Sequence, residues 1–224
     1  MEGVGGVPQS DHLAVEAWKL AAQKGSEDAN YNLGVLHEKG RAGLAADLAL
    51  AVKHYKAAAD KGLADAQYNL ASCYRRGIGG LAVDIDRAVH YCKKAARQGL
   101  PDALYSLAVC YISGIENFPQ NPGRAITLYT AAARRNHAPS QYELAILYEE
   151  GLGGLPKDEK KAASLLQRAA RGQVPSALYE LAMFYEAGSG GLPQDEVKDV
   201  AMLWYHKAAE LGNQLAREVV GGTR

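Results

Sequence analysis

Five tyrosines, Tyr31, Tyr68, Tyr105, Tyr142 and Tyr179, stand 37 residues apart. A second column with the same period runs Ser10, Asp47, Asp84, Asn121, Asp158 and Asp195, and a third runs Val7, Leu44, Leu81, Phe118, Leu155 and Leu192. Alanine pairs keep the same beat at Ala21–Ala22, Ala58–Ala59, Ala95–Ala96, Ala132–Ala133 and Ala169–Ala170. The next pair, Ala208–Ala209, follows a slip of two residues between Asp195 and Ala201. A fixed period of this length means one supersecondary unit used repeatedly. Such a unit buries its apolar faces only by stacking on its neighbours.

Within one unit the pattern predicts two helices. Ala66, Leu70 and Tyr74 fall on one helical face at i, i+4 and i+8. Gly40, Gly77, Gly114, Gly151 and Gly188 then stop the first helix of each unit, because glycine enters the left-handed cap conformation at least cost. After a loop such as Gly77-Ile-Gly-Gly-Leu-Ala-Val, the Asp/Asn/Ser column offers an oxygen to cap the second helix. That helix carries residues such as Ala51, Tyr55, Ala58 and Ala59, and it closes at Gly25, Gly62, Gly99 or Gly212. The sibling closing positions hold Asn136 and Gln173. Asn tolerates the left-handed cap and Gln does not, so Gly172 is expected to take over there. The alanines let helix axes approach closely. The predicted fold is all-α: a right-handed α-solenoid of stacked antiparallel helix hairpins.

The combined pattern is Ala-x-Tyr-x-Leu-Ala/Gly-x-x-Tyr-x-x-Gly, then Gly-Gly-Leu-Pro-x-Asp, then Ala-x-x-x-Tyr-x-x-Ala-Ala. It resembles the Sel-1-like repeat family, relatives of the tetratricopeptide repeats. The resemblance covers nearly the whole chain as one solenoid over 1–224. A partial N-terminal repeat (loop and second helix) occupies 1–27, about five full hairpins occupy 28–211, and a partial repeat or cap occupies 212–224. The half repeats read either as a segment cut from a longer protein or as natural caps. Trp18, Val219 and Val220 fall on end helices without a neighbouring hairpin, which predicts weak end-to-end self-association.

Charge and motif content narrow the function. Lys and Arg number 25 and Asp and Glu number 25, so nothing favours nucleic acid or an anionic membrane as partner. No apolar run suits membrane insertion. Three cysteines, no Asn-x-Ser/Thr sequon and no leader pattern in the first 18 residues give a cytoplasmic expectation. His12, His37, His54, His90, His137 and His206 occupy scattered registers without metal-ligand spacing, so no metal and no cofactor are expected. Cys73, Cys92 and Cys110 read as small apolar residues. The resemblance includes a cysteine-rich bacterial branch with a disulfide in each hairpin, for which penicillin binding or hydrolysis is proposed. Its cysteines would fall at positions held here by Gln67 and Ala96. The glycine-rich loops recur after helices rather than after a strand, so they read as turns and not phosphate cradles. No catalytic constellation emerges, and the chain reads as a non-enzyme.

The resemblance implies a scaffold or adaptor, since related arrays bind extended peptides in a concave groove lined by first helices. On that geometry the groove carries Tyr31, Tyr68, Tyr105, Tyr142 and Tyr179, with Val35, Ser72, Val109, Ile146 and Met183 one turn on. Arg75 and Arg76 add a basic patch early in the array, and Glu149, Glu150 and Glu186 an acidic stretch late. The Ile115–Gln120 loop is a further candidate contact. The tyrosine column has two readings: groove contact, or packing between repeats. The alternatives to a scaffold are a binder of cell-wall fragments or β-lactams and a purely structural self-assembling array. The cap column yields a direct check: Asp84→Ala should lower the unfolding free energy by about 1 kcal/mol, and unchanged thermal melting would mean that this helix starts elsewhere.

Overall fold

A computed structural model describes residues 9–115, 119–193 and 197–222, with the side chains of 9–11, 197 and 198 left out. Val7, Phe118 and Asp195 of the sequence columns therefore lie outside the described residues, as do positions 116–118 of the Ile115–Gln120 loop. Secondary structure among the described residues is helical throughout. The order is α1 (Gln9–Gln23), α2 (Glu27–Lys39), α3 (Leu48–Asp60), α4 (Ala64–Arg76), α5 (Ile85–Arg97), α6 (Pro101–Ser113) and α7 (Pro122–Arg134). It continues with α8 (Ala138–Glu150), α9 (Glu159–Arg171), α10 (Pro175–Ala187), a single 3-10 turn (Ser189–Gly191), α11 (Val197–Glu210) and α12 (Gln214–Gly222). The chain divides into two compact units, one ending at Ala103 and the other starting at Leu104. None of the described helices is long and apolar enough to cross a membrane.

The hairpin rule holds in both units. In the first, α2 packs on α3 and α4 on α5, while α1 packs on α2 and α3 on α4. Its core joins Ala51, Tyr55, Ala58, Ala66, Leu70 and Tyr74. In the second, α8 packs on α9 and α10 on α11, with α7 on α8, α9 on α10 and α12 on α11. There Tyr129, Leu144, Leu166, Leu178, Leu181 and Phe184 fill the centre between alanines at closest approach. Ala95 and Ala132 are fully buried, as expected of small residues at helix crossings. The fold class is the expected all-α solenoid of stacked helix hairpins.

One residue per repeat ties its two helices together. Asp47 Oδ1 accepts from the Leu50 N–H at 2.9 Å, Asp84 Oδ1 from Arg87 at 2.9 Å, Asn121 Oδ1 from Arg124 at 3.0 Å and Asp158 Oδ1 from Lys161 at 2.9 Å. The backbone N–H of the same four residues donates backwards to the carbonyls of His37, Tyr74, Tyr111 and Tyr148 at 2.8–3.0 Å. Ser10 departs from the column: it lies within α1, and its side chain is outside the description.

The first helices end as expected, with Gly40, Gly77, Gly114, Gly151 and Gly188 all at positive φ. One closing position does not behave as the sequence suggests. Gln173 itself adopts the left-handed conformation at φ 57°, alongside Asn136 at φ 60°, whereas Gly172 stays at φ −81°. The repeat register assigns the left-handed turn to position 173 whatever residue sits there. Gly172 serves close approach instead: a Cβ built on it would stand 2.2 Å from the Ala138 Cβ.

The end helices also differ from expectation. Val219 and Val220 pack against the core of the second unit, and Trp18 is half-buried. On α12, Arg217 and Glu218 occupy the registers that hold Leu178 and Tyr179 in α10, and the Arg217 Nε–H donates to the Ala209 carbonyl at 3.2 Å. On α1 it is Leu13 and Leu20 that stand exposed, at 63% and 55%. Two substitutions check the hairpin closure. Gly172→Ala should destabilise by roughly 1–3 kcal/mol through overpacking. Gln173→Gly should stabilise by about 1 kcal/mol by removing left-handed strain. Equal melting of both variants and the wild type would contradict this geometry.

Candidate functional site

Tyr31, Tyr68, Tyr105, Tyr142 and Tyr179 are each half-buried, neither sunk in the core nor fully exposed. In the first unit the Tyr31 ring lies 6.1 Å from the Tyr55 ring across the α2–α3 hairpin. The Tyr55 hydroxyl donates to Glu38 at the end of α2. Burial first, and the Glu38 carboxylate second, push the Tyr55 phenol far above its ordinary range. In the second unit Tyr105 meets Tyr129 at 5.7 Å and Tyr179 meets Tyr205 at 5.5 Å. The Tyr205 hydroxyl donates to Glu186 Oε2 at 2.8 Å. In the repeats of Tyr68 and Tyr142 the corresponding second-helix positions hold Cys92 and Leu166. Part of each paired tyrosine is thus spent on packing within its own hairpin, and the remainder faces outward.

The charged candidates separate by unit. Arg75 and Arg76 occupy the last turn of α4 and are exposed. Glu150 and Glu186 are exposed near the ends of α8 and α10, while Glu149 is half-buried. The more unusual pair is Glu143 and Glu180, which take the registers of Asn32 and Asn69 in the early repeats and extend the acidic stretch of the later ones. Burial holds the Glu143 carboxyl above the usual carboxylate range, a shift its hydrogen bond from the Tyr105 hydroxyl, 3.5 Å long, opposes. Glu180 is raised by burial and then by the charges of Glu149 and Glu150. Around them Val109 and Met183 are 37% and 42% exposed. The second unit therefore presents tyrosine, apolar side chains and partly dehydrated carboxylates on its first helices.

A row of cation–ring contacts also recurs from repeat to repeat. Arg87 stands over Tyr74 at 5.5 Å, Arg124 over Tyr111 at 5.7 Å and Lys161 over Tyr148 at 4.2 Å. Both columns keep the 37-residue period, 13 residues apart, so the signal was there to be read. Buried amides form a second unexpected row: Gln67 Nε2 donates to the Ala59 carbonyl at 3.3 Å, and Gln141 Nε2 to the Ala133 carbonyl at 3.1 Å. His37, read only as a replacement for tyrosine, stacks on His54 at 5.8 Å. Among the described residues Cys73, Cys92 and Cys110 form no disulfide, the first two being buried, and burial pushes the Cys73 thiol up to about 11. A thiol held so far from ionisation is a poor nucleophile. Among the described residues no group of three or more His, Cys, Asp or Glu is placed to hold a metal ion.

Glu180 yields a pH test. Burial disfavours its charged form, so the folded protein holds the proton more tightly than the unfolded chain. Stability therefore falls as pH rises from the ordinary value of 4.5 through the raised one. Glu180→Gln should raise the melting temperature at about pH 7 and leave it unchanged at about pH 3, where both residues are neutral. A lower melting temperature at neutral pH would show that the carboxylate is held by a favourable partner.

Six consecutive stretches, residues 1–26, 27–63, 64–100, 101–137, 138–173 and 175–213, each match the Sel1 repeat. Among solved structures, a Sel1 repeat protein from Oxalobacter formigenes is 26% identical with a TM-score of 0.78, over 96% of this chain and 88% of that one. The protein c5321, a protective antigen of uropathogenic Escherichia coli displaying an SLR fold, is 29% identical with a TM-score of 0.76. That match covers 96% of this chain but 45% of the antigen, so the chain spans less than half of its length. The immunity protein Pa5087 of Pseudomonas aeruginosa shares the fold at 22% identity and a TM-score of 0.53, over 92% of this chain and 72% of its own. No curated protein matches the sequence. With the tyrosine, alanine and cap columns seated as hairpins and the repeat matched along almost its full length, the chain belongs to the Sel1 repeat family.

Proposed function

We propose that this protein is a non-enzymatic interaction module that seats a peptide or protein partner on the outward side of its first helices. Sel1 repeats generally mediate protein–protein interaction, and a family of that kind provides the prior for such a reading. The observation that carries it is the composition of the first-helix face in the second unit. Half-buried Tyr142 and Tyr179, exposed Val109 and Met183, and the raised carboxyls of Glu143 and Glu180 share it. Tyrosine offers large contact area at low entropy cost and one hydroxyl for orientation. Carboxylates already stripped of part of their water lose less on being covered.

In the first unit the contact residues are Tyr31 and Tyr68, with Arg75 and Arg76 at the end of α4. In the second they are Tyr105, Tyr142 and Tyr179, with Glu149, Glu150 and Glu186. A partner contacting the second unit would present cationic or hydroxyl-bearing side chains, and one contacting the end of α4 would present acidic ones. Three cysteines without a disulfide among the described residues support action in a reducing compartment such as the cytoplasm.

The reading is tested with side chains that the fold does not need. Val109→Glu and Met183→Glu alter exposed positions, so circular dichroism and melting should match the wild type. Affinity capture from source-cell lysate should recover a protein with the wild type and lose it with the double variant. Retention of that protein by the double variant would overturn the first-helix face as the site.

A further inference from the structure

At two junctions between repeats a side-chain amide or guanidinium group bridges the repeat ends. In the first unit Gln98, just past α5, sends Nε2 to the Gly62 carbonyl at 2.7 Å and to Gln67 Oε1 at 2.9 Å. In the second unit Arg168 of α9 donates through Nη2 to the Ala133 carbonyl at 3.0 Å and to Asn136 Oδ1 at 3.4 Å. Each bridge crosses the same place: from the next second helix to the closing turn of the preceding one, beside the buried Gln67 or Gln141.

At the following junction all three bridging registers have changed. Leu178 stands where Gln67 and Gln141 stand, and Leu211 stands where Gln98 stands. Lys207 takes the register of Arg168 but lies with its Nζ over the Trp204 ring at 5.0 Å. The result is an open notch of about 330 Å³, bounded by the end of α9, the first turn of α10 and the last turns of α11. Leu178, Leu211 and Trp204 supply its apolar surface, and Gln173 brings an amide to its rim. Gln173 keeps that side chain in a left-handed conformation that glycine adopts in most sibling repeats.

We infer that this notch binds a primary carboxamide, of the kind carried by a glutamine or asparagine side chain of a partner segment. One sibling junction supplies the chemical precedent, since the Gln98 carboxamide fills the equivalent place there. The charges select against the guanidinium alternative. Arg171 and Lys207 outnumber Glu210 around the notch, which disfavours a cation, while a carboxylate has no N–H to donate to backbone carbonyls as the Gln98 amide does, so a carboxamide is the group that meets both conditions. The carboxamide donates to backbone carbonyls as Gln98 does, and its oxygen accepts from the flanking cations. The site is separate from the tyrosine-bearing face, and its test stands or falls without that face.

The probe is N-acetyl-glutamine N-methylamide, titrated into ¹⁵N-labelled protein. The readout is the indole Nε1–H signal of Trp204, told apart from that of Trp18 by Trp18→Phe. That indole N–H is buried with no acceptor among the described residues, so its signal is sensitive to rearrangement of the ring. The Trp204 signal should move saturably, with a Kd on the order of 1 mM for so small a probe, while that of Trp18 stays in place. N-acetyl-leucine N-methylamide should act at least roughly ten-fold more weakly. Leu211→Gln changes a residue that is 44% exposed; it restores the internal amide and should weaken the probe by a similar factor without loss of thermal stability. Any one of three results overturns the inference: no movement of the Trp204 signal, an equal response to the leucine probe, or unchanged affinity in a folded Leu211→Gln variant.

Discussion

A single side chain with its own backbone N–H organises every described hairpin junction that begins at Asp47, Asp84, Asn121 or Asp158. The carboxylate or amide oxygen satisfies an orphan N–H at the start of the second helix, and the N–H satisfies an orphan carbonyl at the end of the first. Two helix ends that would each leave polar groups unpaired are thereby closed by one residue. Because both bonds start from the same Cα, they also set where the second helix departs. Asp and Asn serve equally, since each presents an Oδ1 acceptor at the same reach. This shared geometry lets the alanines of successive repeats meet the same neighbours, and so allows the stack to continue.

Packing then decides how the larger side chains are used. Where alanine brings two helices together, tyrosine from the first helix and tyrosine from the second share one gap, as Tyr31 and Tyr55 or Tyr179 and Tyr205 do. The second-helix ring is buried and its hydroxyl turns to a glutamate at the end of the first helix. That glutamate therefore has a structural duty, and Glu186 serves both the Tyr205 contact and the proposed partner face. Glu143 and Glu180 have less of this support. Their raised carboxyls mark a surface that gains when a partner supplies charge or hydrogen bonds.

The exceptions to the repeat are as informative as the rule. Gln173 accepts a strained conformation because the closing turn is imposed by the helices on either side of it, and Gly172 is reserved for contact with Ala138. Leu178 and Leu211 remove polar bridges that Gln67 and Gln98 provide elsewhere, and a notch opens in the same place. Departures clustered in one junction alter its shape while the hairpins around it stay intact. A repeat array tolerates this because each unit depends mainly on its nearest neighbours.

The period, the helix pairs, the glycine caps and the Asp/Asn caps were legible in the sequence. They depend on local propensity and on a spacing that recurs often enough to be unmistakable. Even the cation–ring pairs of Tyr74 with Arg87 and Tyr111 with Arg124 were written there as two columns. Other features depended on distances between separate helices. No spacing rule shows that Gly172 meets Ala138, that Val220 rests on the core of the second unit, or that Glu143 and Glu180 stand in partly dry surroundings. Burial and close approach arise only once neighbouring helices are in place. The sequence by itself therefore determined the repeating hairpin, because caps and periodicity act within one unit. Tertiary structure decided which carboxylates lose water and which junction stays open, because those depend on side chains from three helices meeting at once.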